Sequence, residues 1–348
     1  MAGAFALFEA LNIKNTFNVS ASILLTSYLQ FLDINVKEFH IPEFYFPEPN
    51  DWTKNIHGIW LIKSQRVFEN ISKHDNENEK IKELFENSTP YFAKLFWGNT
   101  PRNFNLPSNL DVLFDKIKYH FINQHPLGNF QNYPNHHKVG YVGGIIVEGK
   151  GILTEPKIID EDESSCVVLV TFGTAILPFR RDHNYIETMF YVFEHCPKCT
   201  FKVRVRTTKE SYKNIEITKK EKLLPQQEIL AKVNTKLLIS HCGQNSLNEA
   251  MYAGVPIICI PDGGDQFYNA SLVEQLEIGI YIKVDYVHRN YVDFGNHLYY
   301  AIEKILNDPK YQHNATILGK NILNSNESRK NFFLKTIDKS IRGKREGN

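Results

Sequence analysis

Cys166-Val-Val-Leu-Val-Thr171 is a continuous apolar run. Such a run marks a strand buried on both faces, because a strand with one wet face alternates polar and apolar residues. Further strands are expected at 201–205, 237–240, 255–260 and 280–284. Helical patterns fill the gaps at 185–195, 227–233, 246–252, 266–276 and 296–306. Strands alternating with helices over this length predict an α/β fold with a parallel sheet covered on both faces. Sheets of this kind bind ligands beyond the carboxyl ends of their strands. The residues that follow each strand therefore carry the functional reading.

The first 150 residues are less regular. Residues 2–11 place Phe5, Phe8 and Leu11 at helical spacing, and 17–25 reads as a strand. Pro42, Pro47 and Pro49 make 40–60 a loop, 64–97 reads as a helix, and 123–138 reads as an irregular connection. Gly140, Gly143, Gly144, Gly149 and Gly151 mark a flexible stretch, read as an inter-domain linker. With 348 residues the length suits about two domains. The division expected is 1–145, 146–310 and a helical, basic tail at 311–348.

Four post-strand segments carry the chemistry. His241-Cys-Gly-Gln-Asn-Ser-Leu-Asn-Glu249 opens a helix, and a helix N-terminus offers backbone N–H groups and partial positive charge to a phosphate. Gly243 lets an anion approach the backbone, and Asn245 and Ser246 add neutral donors. His241, Asn245 and Glu249 recur every four residues and project along one face, with the Glu249 carboxylate placed to accept both hydroxyls of a ribose diol. The plain alternative is a helix capped by Asn245 or Ser246. Asp265 and Gln266 follow the next strand and suit vicinal sugar hydroxyls; the plain alternative there is a helix capped by Asp265. Thr171-Phe-Gly173-Thr174 forms a third loop, and Lys222-Leu-Leu-Pro-Gln226 a fourth. Four such loops on one sheet edge are harder to assign to chance than any one alone.

The stretch from Lys222 to Gln266, LLPQ followed by ISHCGQNSLNEAMYAGVPIICIPDGGDQ, resembles the signature of the UDP-glycosyltransferases, a family that includes the UDP-glucuronosyltransferases. The resemblance extends from FEALNI near the start to about Asn321. It implies a GT-B fold of two Rossmann-like domains, the N-terminal one incomplete, with a UDP-sugar between them. By position, His241, Asn245 and Ser246 would hold the diphosphate, Glu249 the ribose, and Asp265 and Gln266 the transferred sugar. Gln226 would meet the nucleoside, and Thr171, Gly173 and Thr174 would line the phosphate and sugar. The implied reaction is inverting transfer of a glucuronosyl or glucosyl group to a hydroxyl of a small lipophilic acceptor, with no metal and no cofactor beyond the UDP-sugar. The family's catalytic His and the Asp that orients it would both lie upstream of Met1, leaving this chain inactive alone. The alternative is a UDP-sugar-binding module or regulatory partner, oligomeric with full-length relatives. Three departures stand out: Leu223 replaces the Trp that stacks on uracil, Gly263 replaces an aromatic residue, and Gln244 replaces a glycine.

Composition narrows the remaining classes. Forty basic against 39 acidic side chains leave a net charge of +1, which excludes a dedicated nucleic-acid binder. No G-x-G-x-x-G follows a strand, which argues against a nicotinamide-binding protein. The five cysteines read as ordinary thiols, with Cys166 and Cys259 packed as small hydrophobes and Cys196-x-x-Cys199 lacking a second ligand pair. His40, His57, His74, His120, His125, His136 and His137 read as surface or structural residues. Neither a signal peptide nor a run of ~20 apolar residues is present, so the chain's own signals read as cytoplasmic, whereas the family resembled is lumenal at the endoplasmic reticulum membrane.

Overall fold

The structure, a computed structural model, describes residues 2–52, 64–91, 94, 107–173, 182–205, 213–219 and 224–342. Its elements in chain order are α1 (Ala2–Ala10), β1 (Thr16–Ser20), α2 (Ser64–Glu86), α3 (Leu110–Asp115), β2 (Ile117–Ile122), β3 (Val139–Tyr141) and α4 (Ile145–Lys150). Then follow β4 (Val167–Thr171), α5 (His183–Glu194), β5 (Thr200–Val205), β6 (Ile215–Lys219), α6 (Gln226–Leu230), β7 (Thr235–Ser240) and α7 (Gln244–Ala253). The chain continues through β8 (Ile257–Cys259), α8 (Gln266–Gln275), β9 (Gly279–Tyr281), α9 (Tyr291–Asn307), α10 (Pro309–Leu323) and α11 (Arg329–Arg342).

Two parallel sheets result. The larger has six strands in the order β6-β5-β4-β7-β8-β9, and the smaller has the order β1-β2-β3. All five side chains of β4 are buried, as its unbroken apolar run requires. They alternate between two cores: Val167 and Leu169 enter one, Val168 and Val170 the other. The first core also takes Ile23, Leu24, Leu29 and Ile122 from the N-terminal half together with Leu238, Leu247 and Tyr268 from the C-terminal half. The two halves therefore share one body of buried apolar side chains. The last helix, α11, returns to the small sheet, where Phe333 lies edge-on to Phe121 at 4.5 Å.

Helix ends follow local chemistry. Asn290 caps α9 by accepting from Asp293 N–H, and Asp308 caps α10 ahead of Pro309 at its first position. Gly254 ends α7 in the left-handed region at φ 59°.

Several sequence expectations need correction. The expected strand at 17–25 stops at Ser20, and Thr26–Leu32 forms a 3-10 helix instead. The helix expected to 97 ends at Glu86. Strands β2, β3 and β6 were not anticipated, because each needs a neighbouring strand to become stable and none has a long apolar run. Of the glycines read as a flexible stretch, Gly140, Gly143 and Gly144 are tightly packed, whereas a Cβ on Gly149 or Gly151 would meet nothing within 4 Å. A Cβ on Gly143 would lie 2.3 Å from the Gln124 carbonyl carbon, and Gly140 sits inside β3. The cysteines are not all free thiols: Cys166 is bonded to Cys199 and Cys242 to Cys259, while Cys196 is free and buried. Cys166 and Cys199 immediately precede β4 and β5, whose register pairs Val167 with Thr200 and leaves the two Cα atoms 4.6 Å apart. That proximity is a product of strand pairing, which sequence spacing does not reveal. His57, Thr174, Lys222 and Leu223 lie outside the described residues.

Candidate functional site

Strand order locates the site before any side chain is considered. From β4 the chain runs outward through β5 and β6 on one side, then through β7, β8 and β9 on the other. The order reverses between β4 and β7, and connections leaving in opposite directions open a crevice at that point. Thr171 and Ser240 pair across it at the carboxyl ends of the two strands.

Two loops meet there around one imidazole. His241 follows β7 and is 9% exposed. A Cβ on Gly173, from the loop after β4, would lie 2.9 Å from its Cε1. One on Gly243 would lie 2.6 Å from its Nε2. Both positions must be glycine for the ring to sit between the loops, and Gly173 also has φ 64°, which L side chains rarely adopt. Ser240 Oγ lies 3.2 Å from His241 Nδ1. Arg204 Nη1, from the end of β5, donates to the Gly173 carbonyl at 3.0 Å and fastens the loop. Thr171 itself is buried in the sheet at 3% exposure.

The amino end of α7 faces the same crevice. Its cap residue is Gly243, which has no side chain to offer, so neither Asn245 nor Ser246 serves as an ordinary N-cap. Asn245 is exposed, whereas Gln244, Ser246 and Asn248 around it are buried. One turn further, Glu249 accepts from Gln226 Nε2 at 2.5 Å and from Gln227 Nε2 at 2.7 Å. Gln226 Nε2 also lies 3.4 Å from Ser246 Oγ. Burial pushes the Glu249 carboxyl above its ordinary range, against the two amide donors. Helix α6 thus delivers its amides directly to the carboxylate of α7.

Asp265 occupies the start of α8 without capping it by its side chain. Instead its carboxylate accepts from Ser22 Oγ at 2.6 Å, and Ser22 belongs to the loop after β1 of the small sheet. Burial raises the Asp265 carboxyl, while that hydroxyl and the Gln244 backbone N–H oppose the rise. Gln266 turns its Oε1 back to accept from the N–H groups of Asp262 and Gly263 at 2.8 and 3.2 Å. The structure brings Gly173, His241 and Gly243 together, and Gln226, Ser246 and Glu249 together. Asp265 lies against the Gln244 N–H at the head of α7. Sequence reasoning missed Ser22, Asn123 and Gln227. Asn123 follows β2 and donates to Asn245 Oδ1 at 2.8 Å, so recognition of β2 as a strand would have flagged it.

His74, His120 and His125 of the first half are buried. His74 Nε2 lies 3.0 Å from the Ile41 carbonyl, and His120 Nδ1 lies 3.2 Å from Asn18 Nδ2. Burial lowers the imidazole of His120 to about 4 and that of His125 to about 3. Among the described residues, no cluster of His, Cys, Asp or Glu is arranged to hold a metal ion. Among the same residues, no helix is long and apolar enough to cross a membrane.

Comparison with known proteins identifies the family and the fold. Residues 131–322 match the sequence profile of the family described as UDP-glucoronosyl and UDP-glucosyl transferase. The ecdysteroid UDP-glucosyltransferase of Spodoptera littoralis nuclear polyhedrosis virus is 27% identical over 249 residues, covering 68% of this chain and 45% of that protein. The 2-hydroxyacylsphingosine 1-beta-galactosyltransferase of Rattus norvegicus is 31% identical over 185 residues, covering 52% of this chain and 32% of that protein. The chain therefore spans less than half the length of these relatives. Among solved structures, Os79 from O. sativa in complex with UDP and deoxynivalenol-3-glucoside superposes with a TM-score of 0.56 at 18% identity, over 96% of this chain and 74% of that one. The glycotransferase of kitacinnamycin gives a TM-score of 0.55 at 15% identity, over 96% and 72%. The fold is of the GT-B glycosyltransferase type.

Proposed function

The chain belongs to the UDP-glucoronosyl and UDP-glucosyl transferase family, and from that premise we propose that it binds a UDP-sugar across the crevice between β4 and β7. In this reading His241, Asn245 and Ser246 hold the diphosphate at the amino end of α7, with Gly173 and Gly243 keeping the approach open. Glu249 takes the ribose hydroxyls, Gln226 the nucleoside end, and Asp265 with Gln266 the transferred hexose. The observation that carries the reading is the enclosure of His241 by two side-chain-free positions on separate loops, directly beside the amino end of α7, whose cap residue Gly243 has no side chain. The family likeness of the same segment supports it independently.

The reaction proposed is the one the family likeness implies. A hydroxyl oxygen of a small lipophilic acceptor attacks the anomeric carbon of the glucosyl or glucuronosyl group. The bond from that carbon to the diphosphate oxygen breaks with inversion, UDP departs, and a base takes the hydroxyl proton. Donors at the head of α7 favour the charge that grows on the departing diphosphate. No metal is required in this scheme, since backbone and neutral side-chain donors meet the negative charge.

Calorimetry and thermal melting with UDP test the donor site. UDP is expected to raise the melting temperature, and His241→Ala to abolish the shift. A chain that ignores millimolar UDP would refute the assignment. The second reading, a UDP-sugar-binding partner without turnover of its own, is favoured by the burial of His74, His120 and His125, which leaves them ill placed to take a proton from an acceptor. Transfer from UDP-glucose or UDP-glucuronate to a panel of lipophilic alcohols by the chain alone would decide against that second reading.

A further inference from the structure

The carboxyl edge of the small sheet touches the proposed diphosphate site through one side chain, and its hydrogen bonds have a fixed polarity. Asn123 follows β2 and its Nδ2 donates to the Ala21 carbonyl at 2.8 Å. Asn248, on α7, donates from Nδ2 to the Asn123 backbone carbonyl at 2.9 Å. A carbonyl oxygen can only accept, so these two contacts dictate which end of each amide is nitrogen. Asn248 Oδ1 accordingly accepts from Gln244 Nε2 at 3.1 Å, and Asn248 Nδ2 also reaches Asn123 Oδ1 at 3.3 Å. The remaining proton of Asn123 Nδ2 points at Asn245, 2.8 Å away. Only the oxygen of the Asn245 amide can receive it.

We propose that Asn123 is a positioning residue for the donor site: by holding Asn245 Oδ1, it turns the Asn245 NH2 group outward, as a donor toward the diphosphate. An unrestrained asparagine amide presents oxygen or nitrogen to the crevice with similar ease. Oxygen facing a phosphate is repelled, and nitrogen facing it is attracted. Asn245 is exposed on α7, beyond the buried Gln244, Ser246 and Asn248, so its own helix does little to choose between the two. The choice comes from the other sheet. Asn248, at 2% exposure and itself held by Gln244, at 4%, locks Asn123. The inference rests on the diphosphate reading of α7 and adds to it a residue outside the signature segment.

Binding of UDP and of uridine, which keeps the nucleoside and lacks both phosphates, is measured on the full chain and on Asn123→Ala, Asn245→Ala and the double variant. Asn123→Ala is expected to weaken UDP by about tenfold and to leave uridine unchanged. In the Asn245→Ala background the same substitution is expected to add nothing. If Asn123→Ala does not fold, Asn123→Ser, which keeps a small polar side chain but is one bond too short to reach Asn245, enters the same cycle with a similar loss expected. Equal losses for UDP and uridine, or equal losses in both backgrounds, overturn the positioning role. Full UDP binding by Asn123→Ala with Asn245→Ala impaired overturns that role alone. Full binding by Asn245→Ala removes the diphosphate reading and this inference with it.

Discussion

The six-stranded sheet encloses β4 completely, whereas the three-stranded sheet carries Val19 of its edge strand β1 at 61% exposure. Both are parallel, and both direct the ends of their strands at one crevice. The large sheet supplies His241, Glu249 and Asp265 from its own loops and helices. The small sheet supplies Ser22 and Asn123, which touch those groups or their neighbours and orient them. The difference teaches a division of labour: one sheet carries the groups proposed to meet the ligand, and the other sets how they face.

The sharpest way to break this comparison is to cut the core that the sheets share. Tyr268 of α8 is fully buried and meets Phe130, from the loop after β2, edge-on at 4.9 Å. Tyr268→Ala is expected to cost about 3–5 kcal/mol and to lower a single unfolding transition for the whole chain. Two separate transitions in the calorimeter would show that the halves melt as independent bodies.

A smaller effect is expected with pH. Glu274 accepts from the Asn50 backbone N–H at 2.8 Å, so a carboxylate of α8 reaches the segment before α2. Burial lifts this carboxyl from 4.5 to about 7. The folded chain then takes up the proton at higher pH than the unfolded chain. Its contribution to stability is fully present below about 4.5 and is lost as pH rises through about 7. Melting temperatures at pH 5 and pH 8 should fall less steeply between the two values in Glu274→Gln. An unchanged slope would mean that the carboxyl titrates as a solvated group.

Leu223→Trp sharpens the ligand side of the comparison, since the resemblance places an indole over uracil at that position. It should tighten UDP binding by about 1–3 kcal/mol, read by calorimetry, without altering the contrast between the two sheets. The smallest effect belongs to Trp52, whose Nε1 donates to Ser271 Oγ at 2.6 Å and ties the N-terminal half to α8. Trp52→Phe is expected to cost about 1 kcal/mol in denaturant unfolding; a loss of several would mean that the indole acts mainly through packing.

Particular residues explain what could be read in advance. β4, β5, β7 and the helices after β4 and β7 were legible because a buried strand or an amphipathic helix writes its own period into consecutive residues. His241, Asn245, Glu249 and Asp265 were legible for the same reason, standing in one continuous segment behind recognisable strands. Ser22 and Asn123 were not, because β1 was drawn too long and β2, with Lys118 and His120 inside it, lacks an apolar run. The disulfides were missed because partners 33 and 17 residues apart are joined by strand register.

What the sequence by itself determined was local: the strand-helix alternation, Gly243 beside His241, and the donor and acceptor groups behind each strand of the large sheet. Tertiary structure alone decided that β1 and β2 present Ser22 and Asn123 to Asp265 and Asn245, across separations of 243 and 122 residues. The reason is physical. A period or a cap is an interaction between neighbours in the chain, whereas the direction in which an amide or a carboxylate faces depends on a partner that only folding brings within reach.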